Sequence, residues 1–315
     1  MIDFNALNRA IEEADSIVLF HHINPDCDAL GSQFGLKSWL NENYPDKKVY
    51  ACGTMTSSQG EWPASDAYDE EIIARSTAIV LDTATAVRTD DQRFMQAQKV
   101  VRVDHHPISE PYGDVVLVDP KAAATCEILS AYFRFAGKNV SVRTAEFLYK
   151  GLLTDTLRFS TTNTTSQTLK EAAWLAEKGI DIPSLNRELF DLSMNEFRLT
   201  SLIRSKVSIE ACGFAWLIMS EHEQQEYGVS GSEARGHIDE IGHVKDFKVW
   251  AMFTERHIDE GTVYDGSLRS KKAAVNSIAS LYGGGGHKNA AGVKGLTHSQ
   301  LQEILALLKK AAEEE

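Results

Sequence analysis

No stretch of the 315 residues strings together the roughly 18 apolar positions that a membrane-spanning helix needs. The opening MIDFNALNRAIEEADSIVLF also lacks the basic region, apolar run and small-residue cleavage site of a secretory leader. A cytoplasmic location without membrane association is the expectation. Cysteine is scarce: Cys27, Cys52, Cys126 and Cys212 are widely spaced and form no CxxC pair. That excludes a disulfide framework and a cysteine-built zinc site and leaves four reduced thiols, read as small buried apolar residues. With only 7 prolines and no low-complexity segment, the chain is neither fibrous nor disordered. Basic residues are in deficit, 32 Lys and Arg against 45 Asp and Glu, for a formal charge of -13. Binding to long nucleic acids draws on many cationic side chains that release phosphate counterions, so long duplex DNA is a poor partner. The acidic excess also keeps a surface solvated, and it serves here only to rank substrates.

What the chain does have is apolar material, 43% of its residues, and a length beyond the usual single core, which together predict two domains. Short apolar runs at Ser16 to Phe20, Lys48 to Cys52, Ala78 to Leu81, Val100 to Val103 and Val115 to Val118 read as strands. Between the first two, Ala29 to Asn41 has helical spacing at Leu30, Phe34 and Leu40. This alternation predicts an α/β fold with a parallel sheet and flanking helices. From Thr125 to Ser205 the spacing turns helical, as at Ile128, Leu129, Tyr132 and Phe133, then Ala145, Leu148, Tyr149 and Leu152. After a polar-faced helical stretch come strands at Phe214 to Met219, Lys248 to Phe253 and Val263 to Leu268. Helices near Ser232 to Ile241, at Ala273 to Leu281 and from His298 accompany them. The expected organisation is a parallel-sheet domain at 1–189, a helical linker at 190–204 and a smaller α/β domain at 205–315.

The chemistry gathers where the strands stop, the edge at which open α/β sheets bind ligands. After the first strand, His21-His22-Ile23-Asn24-Pro25-Asp26-Cys27-Asp28 offers imidazoles and two carboxylates in a loop that opens a helix. Asp26 and Asp28 taken alone would be helix caps. The pattern recurs, however: Asp82 ends a second apolar strand, and Asp104-His105-His106 end a third. Asp155, at the end of the helix that starts near Val142, completes a set of Asp and His ligands suited to two divalent ions sharing a carboxylate. Manganese fits this mixture, with magnesium or cobalt as substitutes. Arg158 and Ser160 follow Asp155 closely enough to be candidate substrate contacts. The run Gly283 to Gly286 is more glycine than a tight turn requires, and bare backbone N–H groups can cradle phosphate. His287 and Asn289 stand beside it, and Arg269 ends a strand just upstream. A guanidinium fork grips oxyanions bidentately.

In this order HHINPDCDALGS, LDTA, DHH and GLLTDT resemble the four metal-site motifs of the DHH phosphoesterase superfamily, and GGGGHKNAAG resembles the glycine-rich signature of the DHH-associated C-terminal domain. The short two-domain layout resembles the bacterial oligoribonuclease (nanoRNase) and 3'-phosphoadenosine 5'-phosphate phosphatase group. The resemblance implies an active site in a cleft between the domains. It implies that His22, Asp26 and Asp82 hold one cation and Asp28, Asp82, His105 and Asp155 the other, with Asp82 and Asp155 the candidates for shared ligands. His106 would face the phosphate or handle a proton, and Asp104 would orient an imidazole. Arg269, His287, Asn289, Gly284, Gly285 and Gly286 would bind substrate. That substrate would be a short single-stranded oligonucleotide or a nucleotide bisphosphate, and a homodimer is expected. Cys27 departs from the family, which commonly places Gly or Ala there, and is read as an inert spacer. A standalone cyclic- or linear-dinucleotide phosphodiesterase stays open. Weaker rivals are a pyrophosphatase or exopolyphosphatase, a single-strand exonuclease, and a nucleotide sensor without catalysis.

Overall fold

The computed structural model describes residues 2–55, 57, 59–68 and 71–315, which fall into two compact units, Met1–Asp191 and Leu192–Glu315. The first unit begins with α1 (Phe4–Glu13), β1 (Ser16–Phe20), α2 (Cys27–Asn43), β2 (Lys48–Ala51), α3 (Glu71–Ala74), β3 (Thr77–Leu81), β4 (Lys99–Asp104) and β5 (Val115–Val118). It closes with the helices α4 (Thr125–Ala136), α5 (Val142–Asp155), α6 (Ser166–Ala176) and α7 (Ile182–Phe190). All five strands run parallel, in the order β2-β1-β3-β4-β5, so the expected parallel sheet is present.

Why these residues form strands is visible in their burial. Successive side chains of a strand point to opposite faces. Ile17, Leu19, Ile79, Leu81, Val101 and Val103 join the large core that also holds Leu36, Trp39 and Leu148 from the helices. Their neighbours Val18, Phe20, Ala78 and Val80 pack with Ile73 and Phe94 on the other face. A sheet covered on both faces therefore needs continuous apolar runs rather than an alternating pattern. Each such side chain contributes about 1.5–3 kcal/mol on burial. α2 starts at Cys27, two residues before the apolar spacing reveals it, because Asp26 caps it: its Oδ1 accepts the Asp28 and Ala29 N–H groups, each at 3.0 Å.

The strand order decides where the chemistry sits. From β1 the chain crosses to β2 on one side, and later strands add on the other, so β1 and β3 flank the point where the winding reverses. Open α/β sheets bind ligands beyond the strand ends at such a point. Strands β1, β3 and β4 are neighbours, so the loops carrying His22, Asp82 and His105 leave the sheet side by side.

The second unit runs α8 (Met194–Lys206), β6 (Ser208–Ile209), β7 (Phe214–Met219), α9 (Glu221–Glu226), α10 (Gly231–Gly236), α11 (Asp239–Gly242) and β8 (Val249–Ile258). It continues through β9 (Gly261–Ser270), α12 (Val275–Ser280), β10 (Gly285–His287), β11 (Ala290–Leu296) and α13 (His298–Glu314). Its sheet has the order β10-β11-β9-β8-β7-β6, with β7 and β8 parallel and the other neighbours antiparallel. The polar-faced segment upstream forms α8, whose Leu199 and Ile203 pack with Ala215, Leu217 and Met219 of this unit. The single helix expected at Ser232 to Ile241 is two, α10 and α11. Gly236 weakens the helix, and His237, at ψ 12°, leaves helical geometry there. The glycine run contributes the edge strand β10.

Candidate active site

Each strand-end loop delivers its side chains by a local device. Beyond β1, the Nδ1 of His22 donates to the Ile23 carbonyl at 2.9 Å, which turns Nε2 toward Asp82 Oδ2 at 3.4 Å and Asp26 Oδ2 at 3.7 Å. Asp26 thus spends one oxygen on the α2 cap and offers the other. Beyond β3, Asp82 sits in the left-handed region at φ 50°, with its N–H on the Val103 carbonyl at 3.0 Å. A non-glycine residue there is strained, and such strain concentrates at functional sites. Its Oδ2 faces His22, while its Oδ1 lies 3.4 Å from His105 Nε2.

His105 Nε2 also lies 3.4 Å from Asp155 Oδ2, at the last residue of α5, and 4.0 Å from Asp28 Oδ2. Asp28 is fully buried and caps a second helix: its Oδ2 accepts the Thr125 N–H at 2.6 Å and its Oδ1 the Cys126 N–H at 2.9 Å, at the start of α4. Thr125 Oγ1 meanwhile donates to Asp82 Oδ1 at 3.1 Å.

The six expected ligands fall into two donor groups, His22, Asp26 and Asp82, and Asp28, His105 and Asp155, and a third set of Asp82, His105 and His106 overlaps them, with donor atoms inside each within 4.8 Å of one another. Asp82 touches both groups through its two oxygens. Bonds of about 2.0–2.2 Å from a divalent cation to nitrogen and oxygen set neighbouring donors roughly 3–3.5 Å apart. The 3.4 Å separations of Asp82 and Asp155 from the imidazoles lie in that range, while Asp26 at 3.7 Å and Asp28 at 4.0 Å stand slightly outside it.

Electrostatics point the same way. Burial alone would lower the His22 imidazole, but Asp26 and Asp82 overcome it and hold it up at about 10. The same pairing holds the Asp26 carboxyl below its ordinary value against the opposing effect of burial. Burial pushes the Asp28 and Asp155 carboxyls up, and neighbouring carboxylates push them further, Asp82 and Asp26 acting on Asp28, and Asp28, Asp82 and Asp26 on Asp155. Acidic groups crowded into low dielectric in this way are relieved by cations.

His106 differs from its neighbour. Asp104 Oδ1 accepts both the His106 Nδ1–H at 2.8 Å and its backbone N–H at 3.1 Å, which raises the imidazole and leaves Nε2 as the nitrogen available to a ligand. Asp104 Oδ2 in turn accepts from Arg102 Nη2 at 2.6 Å, with both side chains buried. Burial alone would raise the Asp104 carboxyl; His106 and Arg102 hold it below the usual range. Arg102 Nη2 also donates to the Ala84 carbonyl at 2.9 Å, and its guanidinium lies 4.5 Å from the centre of the Tyr112 ring.

Arg102 and Thr125 escaped the sequence reading. For Arg102 a signal existed, since an arginine inside the apolar run Val100-Val101-Arg102-Val103 must be paired if the strand is buried. Thr125 gave none. Cys27 gives its thiol hydrogen to the Gln59 carbonyl at 3.4 Å, and burial raises it to about 11.

The donors open into a cavity of about 420 Å³ lined by His22, Asp26, Asp82, Ala84, Arg88, His105, His106 and Asp155. Arg158 and Ser160 are not among these lining residues. Arg158 lays its guanidinium 4.7 Å from the centre of the Phe190 ring, and Ser160 Oγ donates to the Leu157 carbonyl at 2.7 Å. Leu157, Arg158 and Phe159 are all left-handed, at φ 44°, 60° and 63°, so a strained turn follows Asp155 directly.

In the second unit, strand register lines up His287 opposite Ala290, Ala290 opposite Arg269 and Arg269 opposite Trp250. Directly paired residues share a sheet face, so two cation-capable side chains flank one alanine, roughly 10 Å apart across two strand spacings. Asn289 is partly committed elsewhere: its Nδ2 donates to Ser270 Oγ at 2.9 Å and the Ala273 carbonyl at 3.3 Å. Of the three glycines expected to cradle phosphate, two are demanded by the fold. A Cβ on Gly284 would meet the Gly292 carbonyl oxygen at 2.2 Å, and Gly286 is left-handed at φ 141°. Gly285 meets nothing and its backbone suits any residue, so local packing gives no reason for glycine there.

Comparison with known proteins shows the family and the domain order. Residues 16–152 match the DHH family, N-terminal domain, and residues 214–314 match the DHHA1 domain. The bifunctional oligoribonuclease and PAP phosphatase NrnA of Bacillus subtilis is 33% identical over 311 residues, covering 98% of both chains. The probable bifunctional oligoribonuclease and PAP phosphatase NrnA of Streptococcus mutans is 31% identical over 309 residues, covering 98% of this chain and 99% of its own. The crystal structure of an exopolyphosphatase-related protein from Bacteroides fragilis shares the fold, with a TM-score of 0.78 over 98% of this chain and 97% of that one at 22% identity. Likeness at one-third identity along almost all of both chains makes this protein a member of the DHH family, with a DHHA1 domain following the DHH domain.

Proposed function

We propose that the protein is a metal-dependent phosphoesterase that hydrolyses very short oligonucleotides and nucleotide bisphosphates such as 3'-phosphoadenosine 5'-phosphate, with manganese as its natural cation. The observation that carries this reading is the pair of donor groups joined through Asp82. In it, His22, Asp26 and Asp82 hold one cation, and Asp28, Asp82, His105 and Asp155 hold the other. When bound, the cations supply Lewis acidity that activates water and neutralises charge on the phosphoryl oxygens.

The chain's own residues supply the rest. Thr125 and the first N–H groups of α4 fix the Asp28 and Asp82 oxygens, so the donors need little rearrangement to receive a cation. Asp104, itself anchored by Arg102, holds His106 so that Nε2 can stabilise a phosphoryl oxygen or give a proton to the departing alkoxide. The oligonucleotide and bisphosphate substrates come from the Bacillus subtilis relative's name. The row of His287, Ala290 and Arg269, with the open backbone at Gly285, supports an anion subsite in the second unit. Residues 1–189 are then the catalytic domain and 205–315 the substrate-binding domain, and a homodimer is the expected assembly.

The test is hydrolysis by purified protein with Mn²⁺ of a panel running from dinucleotides to pentanucleotides, with 3'-phosphoadenosine 5'-phosphate, cyclic dinucleotides and pyrophosphate. Asp82→Ala and His105→Ala are expected to abolish turnover while melting as cooperatively as the parent. Near-normal activity in both variants removes the metal-site assignment, and turnover confined to cyclic dinucleotides or pyrophosphate overturns the substrate reading.

A further inference from the structure

We propose that Arg88, on a clamped turn at the wall of the pocket that holds the metal-ligating side chains, is a substrate-binding residue that grips the non-bridging oxygens of the phosphate under attack. The inference rests on the phosphoesterase reading above and adds to it a residue outside the expected ligand motifs. Arg88 lines the cavity together with His22, Asp82, His105, His106 and Asp155. Among the residues lining it, Arg88 alone carries a permanent positive charge.

Its backbone is fixed and its side chain is not. Arg88 closes a one-turn 3-10 helix, Ala86–Arg88, and its carbonyl accepts the Ile23 N–H at 2.8 Å. The next residue, Thr89, bridges His22, and the Asp90 N–H donates to the His21 carbonyl at 2.9 Å. Gln92 Nε2 ties the same turn from outside, donating to the Ala86 carbonyl at 3.0 Å and the Thr89 carbonyl at 2.8 Å. The turn bearing Arg88 is therefore laced to the loop bearing the metal-site imidazole His22. Among the described residues, no carboxylate lies within ion-pair reach of its guanidinium, which is exposed. A solvated arginine with no role would not need its backbone locked to a ligand loop.

Charge explains what such a group does there. The ligand set holds the four carboxylates Asp26, Asp28, Asp82 and Asp155, which two divalent cations just neutralise. A phosphate ester arrives with negative charge and gains more at its equatorial oxygens as water attacks, so a fixed cation outside the ligand set is worth most in the transition state. The planar guanidinium meets two oxygens of one phosphate at once, which a lysine cannot reproduce.

The experiment compares Arg88→Ala and Arg88→Lys with the parent in two arms. Steady-state hydrolysis of a dinucleotide and of 3'-phosphoadenosine 5'-phosphate is expected to lose about 10- to 100-fold in kcat/KM in Arg88→Ala, the range for one hydrogen-bonded charge contact. Arg88→Lys should recover part of it, and added guanidinium should partly rescue Arg88→Ala. Calorimetric binding of inorganic phosphate to the Mn²⁺-loaded protein should weaken by about tenfold in Arg88→Ala, while Mn²⁺ stoichiometry, Mn²⁺ affinity and melting temperature stay at parental values. Parental kcat/KM and phosphate affinity in Arg88→Ala overturn the proposal. So does a loss of activity that follows lost metal binding or lowered stability, since Arg88 would then serve the scaffold. If the parent itself hydrolyses no nucleotide, the phosphoesterase reading fails, and the phosphate-binding arm still decides whether Arg88 holds an oxyanion.

Discussion

Replacing Asp104 by Asn keeps the shape of the side chain and removes one charge from the centre of the first unit. In the parent, Asp104 Oδ2 faces Arg102 Nη2 at 2.6 Å, and the two side chains are 0% and 1% exposed. Arg102 keeps the Ala84 carbonyl and the Tyr112 ring, yet its Nε already has no hydrogen-bond partner among the described residues. Neutralising Asp104 strands a guanidinium in low dielectric, which costs about 3–5 kcal/mol in buried pairs of this kind. A domain of this size loses roughly 2–4 °C of melting temperature per kcal/mol, so the expected fall is about 6–20 °C. Calorimetry and urea unfolding of chelator-treated protein measure it without interference from bound cations. Arg102→Met alone is expected to be costly as well, because it leaves the Asp104 carboxylate facing only His106. The double variant should cost less than the sum of the singles, with a coupling of about 1–3 kcal/mol. Turnover by Asp104→Asn should fall through kcat more than KM, since His106 loses its fixed orientation. Additive costs, or an Asp104→Asn protein within about 1 kcal/mol of the parent, would refute the idea that a buried ion pair holds the histidine.

Metal loading should release protons, because in the cation-free protein His22 is held up at about 10 and the Asp28 and Asp155 carboxyls are pushed up. All three shifts keep protons on the folded state that the unfolded chain gives up, so stability without metal should fall as pH rises from about 4, where the unfolded carboxyls ionise, through the His22 range towards 10. Calorimetry of Mn²⁺ binding in buffers of different ionisation enthalpy, with melting curves across that range, checks both, and buffer-independent heats contradict it. Gly284→Ala should lower the melting temperature, since its Cβ meets the Gly292 carbonyl oxygen, at a cost of about 1–3 kcal/mol. Gly285→Ala should leave the melting temperature alone and raise KM for short nucleotides; an unchanged KM places the anion elsewhere. Leu157→Gly should hold or raise the melting temperature by up to about 4 °C, because it relieves a left-handed leucine at φ 44° that is exposed and buries little. A clear loss of stability would mean that the Leu157 side chain packs.

The parallel sheet was legible because its strands are buried on both faces and must be apolar without interruption. Ser16 to Phe20 and Thr77 to Leu81 are such runs, and a ligand-bearing residue at the end of each marks the sheet edge. Polar and glycine-rich elements were not legible. β8 and β9 run on to Ile258 and back from Gly261 through polar residues that an apolar pattern misses. β10 is built on glycines, which carry no strand preference of their own.

The sequence by itself determined which residues could ligate and where strands end, since ligand chemistry is a property of residue type and burial leaves its mark on composition. Only the tertiary structure decided how these groups act together. Strand order placed β1, β3 and β4 side by side, so one aspartate at a strained φ of 50° could turn an oxygen to each donor group. The cap that Asp28 gives to α4 and the lacing of the Arg88 turn to the His22 loop each join residues far apart in the chain. Such contacts depend on distances in space, which no local spacing encodes.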